Sequence, residues 1–174
     1  MQRIEEIIKT LNLMPHPEGG YYKETYRSQG EITGNQLPSI YKGKRNLSTS
    51  IYFLLTADNF SAFHKIHQDE IWYFHLGSPI ELHTITESGT HKEYVIGTDI
   101  INGQLPQLIV HGNQWFAAKI SKGGGFALVS CSVTPGFDFA DFKMATRGEL
   151  LLAFPQHKNL ITDFTRIKEE GQEL

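Results

Sequence analysis

Cysteine is almost missing from this sequence: the 174 residues include one, Cys131. A single thiol excludes an internal disulfide and any zinc cluster built from several cysteines. Charge of one sign is not in surplus either. Sixteen Lys and Arg against 19 Asp and Glu leave a formal net charge of −3 with histidine neutral. The chain therefore offers neither a broad basic surface for nucleic acid or anionic lipid nor an acidic tail for a basic partner. Long apolar runs are absent. The longest, residues 51–55 and 150–154, are too short for a membrane helix. The opening Met1-Gln2-Arg3-Ile4-Glu5-Glu6 lacks the apolar stretch of a signal peptide, and a cytoplasmic protein is expected. Hydrophobic residues at 40% and charged residues at 20% exclude intrinsic disorder, and the length suits one domain.

Glycines and aromatics are plentiful: 16 Gly, 11 Phe, seven Tyr and two Trp. That mixture suits short strands joined by tight turns better than a helical bundle. Residues 1–14 read as a helix, with Ile4, Ile7, Ile8 and Leu11 on one stripe, stopped by Pro15 and Pro17. Strands are expected at 21–27, 48–55, 60–66, 71–76, 80–85, 94–97, 114–120 and 126–133, within a strand-forming region spanning 20–133. Residues 28–46 are polar and glycine-containing, a long surface excursion. Gly123-Gly124-Gly125 precedes a strand rather than a helix, so it reads as a hairpin turn and not a phosphate loop. Thr146-x-x-Glu149 matches a capping box and opens a helical tail over 146–166, with Asp163 and everything from Arg166 onward solvated.

Reactive groups concentrate between residues 63 and 77. Alternation places His64 and Ile66 on one strand face and Lys65 and His67 on the other. It likewise aligns Glu70 with Trp72 and Phe74. A glutamate projecting among aromatic side chains has its pKa raised by burial, which makes a general acid or base near neutral pH. A carboxylate beside His64 would raise the imidazole pKa, and the two would form an acid–base pair. Lys65 and Arg27 are conceivable anion partners. Cys131 alternates with Val129 and Val133 and reads as a buried small hydrophobe. His75, His83, His91 and His157 share no spacing and read as surface residues. Phe137, Phe139 and Phe142 with Asp138 and Asp141 look like a segment that closes the domain or packs a dimer contact.

The 63–77 stretch resembles the first motif of the cupin superfamily, with His64, Glu70 and Gly77 in register and Ile66 where the second histidine belongs. A second cupin motif fits partly, with Pro106 and His111 in register but Leu108 and Trp115 in place of its Gly and Asn. More specific strings are similar to one cupin family of unknown function. They are His16-Pro17-Glu18-Gly19-Gly20-Tyr21-Tyr22, Ser50-Ile51-Tyr52-Phe53-Leu54-Leu55, Asp69-Glu70-Ile71-Trp72 through to Gly77, Pro135-Gly136-Phe137-Asp138-Phe139-Ala140-Asp141-Phe142, and Phe154-Pro155-Gln156-His157. That family more often carries Pro at the position of His111.

The resemblance implies an all-β, jelly-roll-type cupin barrel with short helices at both ends, one domain over 1–174, usually a homodimer, with an internal pocket. It supplies no reaction. The residues leave three readings open. His64 and Glu70 are catalytic in an isomerase or epimerase acting on a carbohydrate-like or carboxylate-bearing substrate. Alternatively, His64, Glu70 and His111 hold a divalent metal in an oxygenase-type cupin. In the third reading, Trp72, Phe74, Tyr52, Phe63, His111 and Trp115 bind a small ligand without catalysis. No cofactor is assigned; the expected partner is a small molecule, with no nucleic acid and no membrane.

Overall fold

Runs of β-branched and aromatic residues separated by glycine-bearing turns become strands, and the amphipathic ends become helices. The structure is a computed structural model describing residues 2–167. The order is α1 (Gln2–Leu11), β1 (Met14–Pro15), β2 (Tyr21–Arg27), β3 (Glu31–Ile32), β4 (Arg45–Asn46), β5 (Thr49–Thr56), β6 (Phe60–Lys65), β7 (Asp69–Gly77), β8 (Ile80–Ile85) and β9 (His91–Ile96). There follow β10 (Gln107–Val110), β11 (Trp115–Ile120), β12 (Phe126–Thr134), β13 (Lys143–Met144), α2 (Arg147–Ala153) and α3 (Lys158–Asp163). Each of the eight expected strands is present, with ends moved by at most three residues; β10 and the two-residue strands β1, β3, β4 and β13 are additional.

Two antiparallel sheets carry the fold, one six-stranded in the order β1-β2-β5-β12-β7-β10 and one five-stranded in the order β13-β6-β11-β8-β9. They remain separate sheets, so the expected barrel is open along its seams. β3 and β4 form a small hairpin of their own within the polar excursion. The triple-glycine turn is not a hairpin: it joins β11 in one sheet to β12 in the other. Gly77 makes a similar passage from β7 to β8. It sits at φ +107, and a Cβ there would stand 2.2 Å from the Phe126 carbonyl oxygen, so only glycine fits.

Each sheet buries its inner face and part of its outer face. Between the sheets lies a core that includes Phe53, Leu55, Trp72, Leu82, Phe116 and Val129. On the outer face of the five-stranded sheet, Phe63, Ile85, Trp115 and Ala117 pack beneath Leu150, Phe154, Ile161 and Phe164. α1 lays Ile4, Ile7, Ile8 and Leu11 over Leu54 and Leu128 on the outer face of the other sheet. Burying an aliphatic side chain such as Leu150 or Ile161 contributes about 1.5–3 kcal/mol. Thr146 Oγ1 accepts from the Glu149 N–H at 3.2 Å and caps α2 as its sequence suggests. Arg166 is a correction to the solvated tail. Its guanidinium donates to the Glu18 carbonyl at 2.6 Å, to Asn59 Oδ1 at 2.9 Å and to the Phe60 carbonyl at 2.8 Å. Residues 168–174, also expected to be solvated, lie outside the described residues.

One buried ion pair ties β4 to the segment after β12. Arg45 Nε and Nη2 donate to the two oxygens of Asp141 at 2.7 and 2.6 Å, and Gln68 Nε2 adds a bond to Asp141 Oδ2 at 2.7 Å. Burial opposes ionisation of Asp141, but the bonds from Arg45 and Gln68 outweigh it and hold the carboxyl below the usual range. Removing one partner strands the other charge. Asp141→Ala should therefore lower unfolding free energy by about 3–5 kcal/mol, read from the denaturant midpoint at unchanged slope. Arg45→Lys, which keeps the charge and loses the fork, should lie between that variant and the parent.

Candidate functional site

The inner faces are not filled everywhere. Towards the ends of the strands where β6 gives way to β7, inward positions carry polar or small side chains, and a cavity of about 490 Å³ opens. β5 contributes Thr49, Ile51 and Phe53, β7 contributes Glu70 and Trp72, and β12 contributes Cys131 and Val133. His64 and Ile66 enter from β6 and its end, and Tyr22, Glu24 and Arg27 from β2. The mouth is walled by Phe137, Asp138, Phe139 and Phe142, on the segment that Arg45 anchors through Asp141.

The loop between β1 and β2 supplies the remaining chemistry, His16 and Glu18. Gly19 and Gly20 bring this loop against the sheets at φ +117 and +71, where a Cβ would stand 2.1 Å from the Phe60 carbonyl oxygen and 2.7 Å from that of Leu54. Glu18 is buried. Its Oε1 accepts from the Ser61 hydroxyl at 2.9 Å; its Oε2 lies 3.1 Å from His64 Nε2 and 3.3 Å from His16 Nδ1.

Hydrogen-bond logic settles where a proton is needed. His64 Nδ1 is 2.7 Å from the Ala62 carbonyl, which can only accept, so Nδ1 carries hydrogen and neutral His64 turns a lone pair to Glu18. His16 Nδ1 accepts from the Glu18 backbone N–H at 3.3 Å, so it too presents a lone pair. One proton must therefore reside among Glu18, His64 and His16. Burial raises the Glu18 pKa against the opposing influence of His16, Ser61 and Arg166, and burial lowers both imidazoles. A proton shared between Glu18 Oε2 and His64 Nε2 completes their 3.1 Å contact, while the lone pair of His16 Nδ1 is taken by the Glu18 N–H.

Glu70 stands on the same cavity. Burial above all raises its pKa to about 7, with any negative charge on Glu18 adding to the rise, while His64, Cys131 and Trp72 pull the other way. The Trp72 indole N–H is buried without a partner at hydrogen-bonding geometry. The Cys131 thiol is pushed well up by burial and by the Glu70 charge, so it stays protonated and is no nucleophile.

Comparison with known proteins places this architecture. The family model described as Cupin superfamily (DUF985) matches residues 5–145. The chain belongs to the cupin superfamily. Protein SO0799 of Shewanella oneidensis has a similar solved structure, with TM-score 0.85 and 36% identity over 94% of this chain and 98% of that one. A hypothetical protein from Leishmania major gives TM-score 0.86 and 34% identity, again over 94% and 98%. The uncharacterized protein YML079W of Saccharomyces cerevisiae is 33% identical over 147 residues, 79% of this chain and 73% of that protein.

The structure of this cupin brings His64, Glu70 and Trp72 together and sends the other expected site residues elsewhere. Tyr52, Phe63 and Trp115 occupy the opposite faces of their strands, beneath α1 or the C-terminal helices. Each is adjacent in sequence to an inward residue, Phe53, His64 or Phe116. Phe74 packs against the inter-sheet core without reaching the cavity. His111 follows the buried Val110 of β10 and is turned outward, exposed, 3.4 Å from Asp69. Lys65 lies over the Trp115 ring on the outer face. His83 is buried rather than on the surface, with Nδ1 3.1 Å from His91 Nε2 and its ring beside Phe164. The imidazole of His64 is shifted down and not up, because desolvation exceeds the attraction of Glu70.

The metal set His64, Glu70 and His111 does not fit. His111 points away, Ile66 lines the cavity where a second imidazole is required, and both nitrogens of His64 are engaged by Ala62 and Glu18. Among the described residues, the donor atoms that do cluster are those of Glu81, His83 and Glu93 on the outer face of β8 and β9.

The cavity's ionisable residues that strand alternation does not reach are His16 and Glu18, while the Phe137–Phe142 segment, expected to close the domain or pack a dimer contact, walls the mouth. A signal was present: an ionisable pair held between two prolines and a double glycine. A titration test follows for Glu70. Its folded pKa lies above the ordinary glutamate value, so the folded state holds a proton that the unfolded state has lost between about pH 4.5 and 7. That contribution to stability is full at the acid end and disappears as pH rises through 7. Melting temperatures from pH 5 to 8 should thus show the parent losing more stability with rising pH than Glu70→Gln; parallel curves would refute the shift.

Proposed function

We propose that this cupin binds a small polar molecule in its cavity and moves a proton on and off it, as in isomerisation or epimerisation beside a carbonyl. The observation that carries this reading is the convergence of four ionisable side chains, His16, Glu18, His64 and Glu70, on one partly enclosed cavity. The volume of about 490 Å³ is within the usual range for a small-ligand site. Glu70 serves as the general base and acid, because a carboxyl group that titrates near 7 is populated in both forms at neutral pH. The His16–Glu18–His64 group is the second proton reservoir. It passes a proton between Glu18 and His64 without moving any heavy atom by more than a fraction of their 3.1 Å separation. Phe53 and Trp72 keep bulk water from the floor, and the Trp72 indole N–H lies near enough to Glu70 to favour its ionised form.

The test starts from the compound that copurifies in the cavity, released by denaturation and identified by mass spectrometry. Returned to the folded protein in D2O, it should gain deuterium at one carbon. Glu70→Gln should retain the compound yet slow that exchange by about 100-fold or more. Exchange that survives Glu70→Gln undiminished would eliminate Glu70 as the base.

A further inference from the structure

The charges around the cavity select among possible ligands. Four carboxyl groups line it, Glu18, Glu24, Glu70 and Asp138, against one guanidinium, Arg27. Arg27 is already committed. Its Nε and Nη2 fork onto Glu24 at 2.9 and 2.7 Å, Nη1 donates to Asn46 Oδ1 at 2.8 Å, and Nη2 also donates to the Phe137 carbonyl at 3.2 Å. It braces the mouth and is neutralised by Glu24. The two lining histidines are held neutral, and Arg166 reaches Glu18 only from behind, through the backbone carbonyl. Glu70 therefore faces the cavity with no cationic partner. Asp138, whose charge acts on both Arg27 and Arg45, adds negative potential at the rim.

The rest of the wall is aromatic. Tyr22, Phe53, Trp72, Phe137, Phe139 and Phe142 line the space, and the last three stand edge to face against one another at 5.0–6.3 Å. Ring faces carry partial negative charge and attract cations, most strongly where water is excluded. Aromatic walls with an unpaired carboxylate at the floor are hostile to an anion and suited to a cation.

We infer that the molecule taken up by this cavity bears a positively charged nitrogen, an amine or related cation, seated between Glu70 and the aromatic wall. The inference rests on the proposed small-ligand site and narrows its substrate class, setting aside a ligand whose only charge is a carboxylate.

Three probes of one skeleton separate the possibilities: cyclohexylamine, cyclohexanol and cyclohexanecarboxylate, each titrated into isotope-labelled protein at pH 8 and followed by amide NMR shifts. The amine should move the resonances of Glu70, Trp72 and Phe139 and bind at least about tenfold more tightly than the alcohol. The carboxylate should be weaker still. Glu70→Gln, close in size to the parent, should bring the amine to within about threefold of the alcohol, and the exposed Asp138→Asn should weaken it less. Binding of alcohol or carboxylate as tightly as amine would overturn the charge inference and leave the ligand site standing. If none of the three moves a cavity resonance, the ligand site itself falls, and this inference with it.

Discussion

The need to bury both faces of both sheets governs this molecule. A sheet that packs only on its partner leaves half its side chains in water, but here Phe63, Ile85 and Trp115 on one outer face and Leu54 and Leu128 on the other are apolar. Helices must cover them, and α1 and the α2–α3 pair do so. With these apolar outer patches covered, the inside need not be filled completely. The fold can leave polar inward positions at one end because apolar contact is gained elsewhere. The cavity is thus a consequence of a four-layered arrangement, helix on sheet on sheet on helices, in which the core and the site share the same strands.

Burial then sets the chemistry. Glu18 sits under the β1–β2 loop with its carbonyl held by the Ala62 N–H at 2.9 Å and by Arg166. Its carboxyl is left to face two imidazoles that are themselves desolvated. In water such a group would be three independent titrating side chains. Enclosed, they share one proton, since charging any member without its partner costs several kcal/mol. Glu70 feels the same enclosure without a compensating cation, which is why its proton is held to about pH 7. The residues that line the site come from the N-terminal loop, five strands and the segment after β12, so it exists only once both sheets and the Arg45–Asp141 clamp have formed.

Much of this was legible in the residue pattern. Eight strands, the terminal helices, the Thr146 cap and the inward direction of His64, Ile66, Glu70 and Trp72 all follow from periodicity and capping. The outward faces of Tyr52, Phe63 and Trp115 follow from the same alternation, against the expectation that they line the pocket. Phe63 precedes His64, so if one faces the cavity the other faces out. Reading aromatics as pocket lining without applying that parity assumed a single buried face, and aromatic composition cannot distinguish a strand buried on one side from a strand buried on two. Arg166 failed differently. It follows the last helix in a charged stretch, and nothing local shows that Glu18, Asn59 and Phe60 await it.

By itself, then, the sequence determined the element types, the cupin resemblance and the exclusion of thiolate chemistry, because each depends on spacing of a few residues or on a count. Tertiary structure alone decided that Glu18 and His16 meet His64, that His111 does not, and that Arg27 is spent on Glu24. Those outcomes depend on which loops fold over which strand ends. They also depend on how much water is removed from each ionisable group, a quantity that no stretch of chain carries locally.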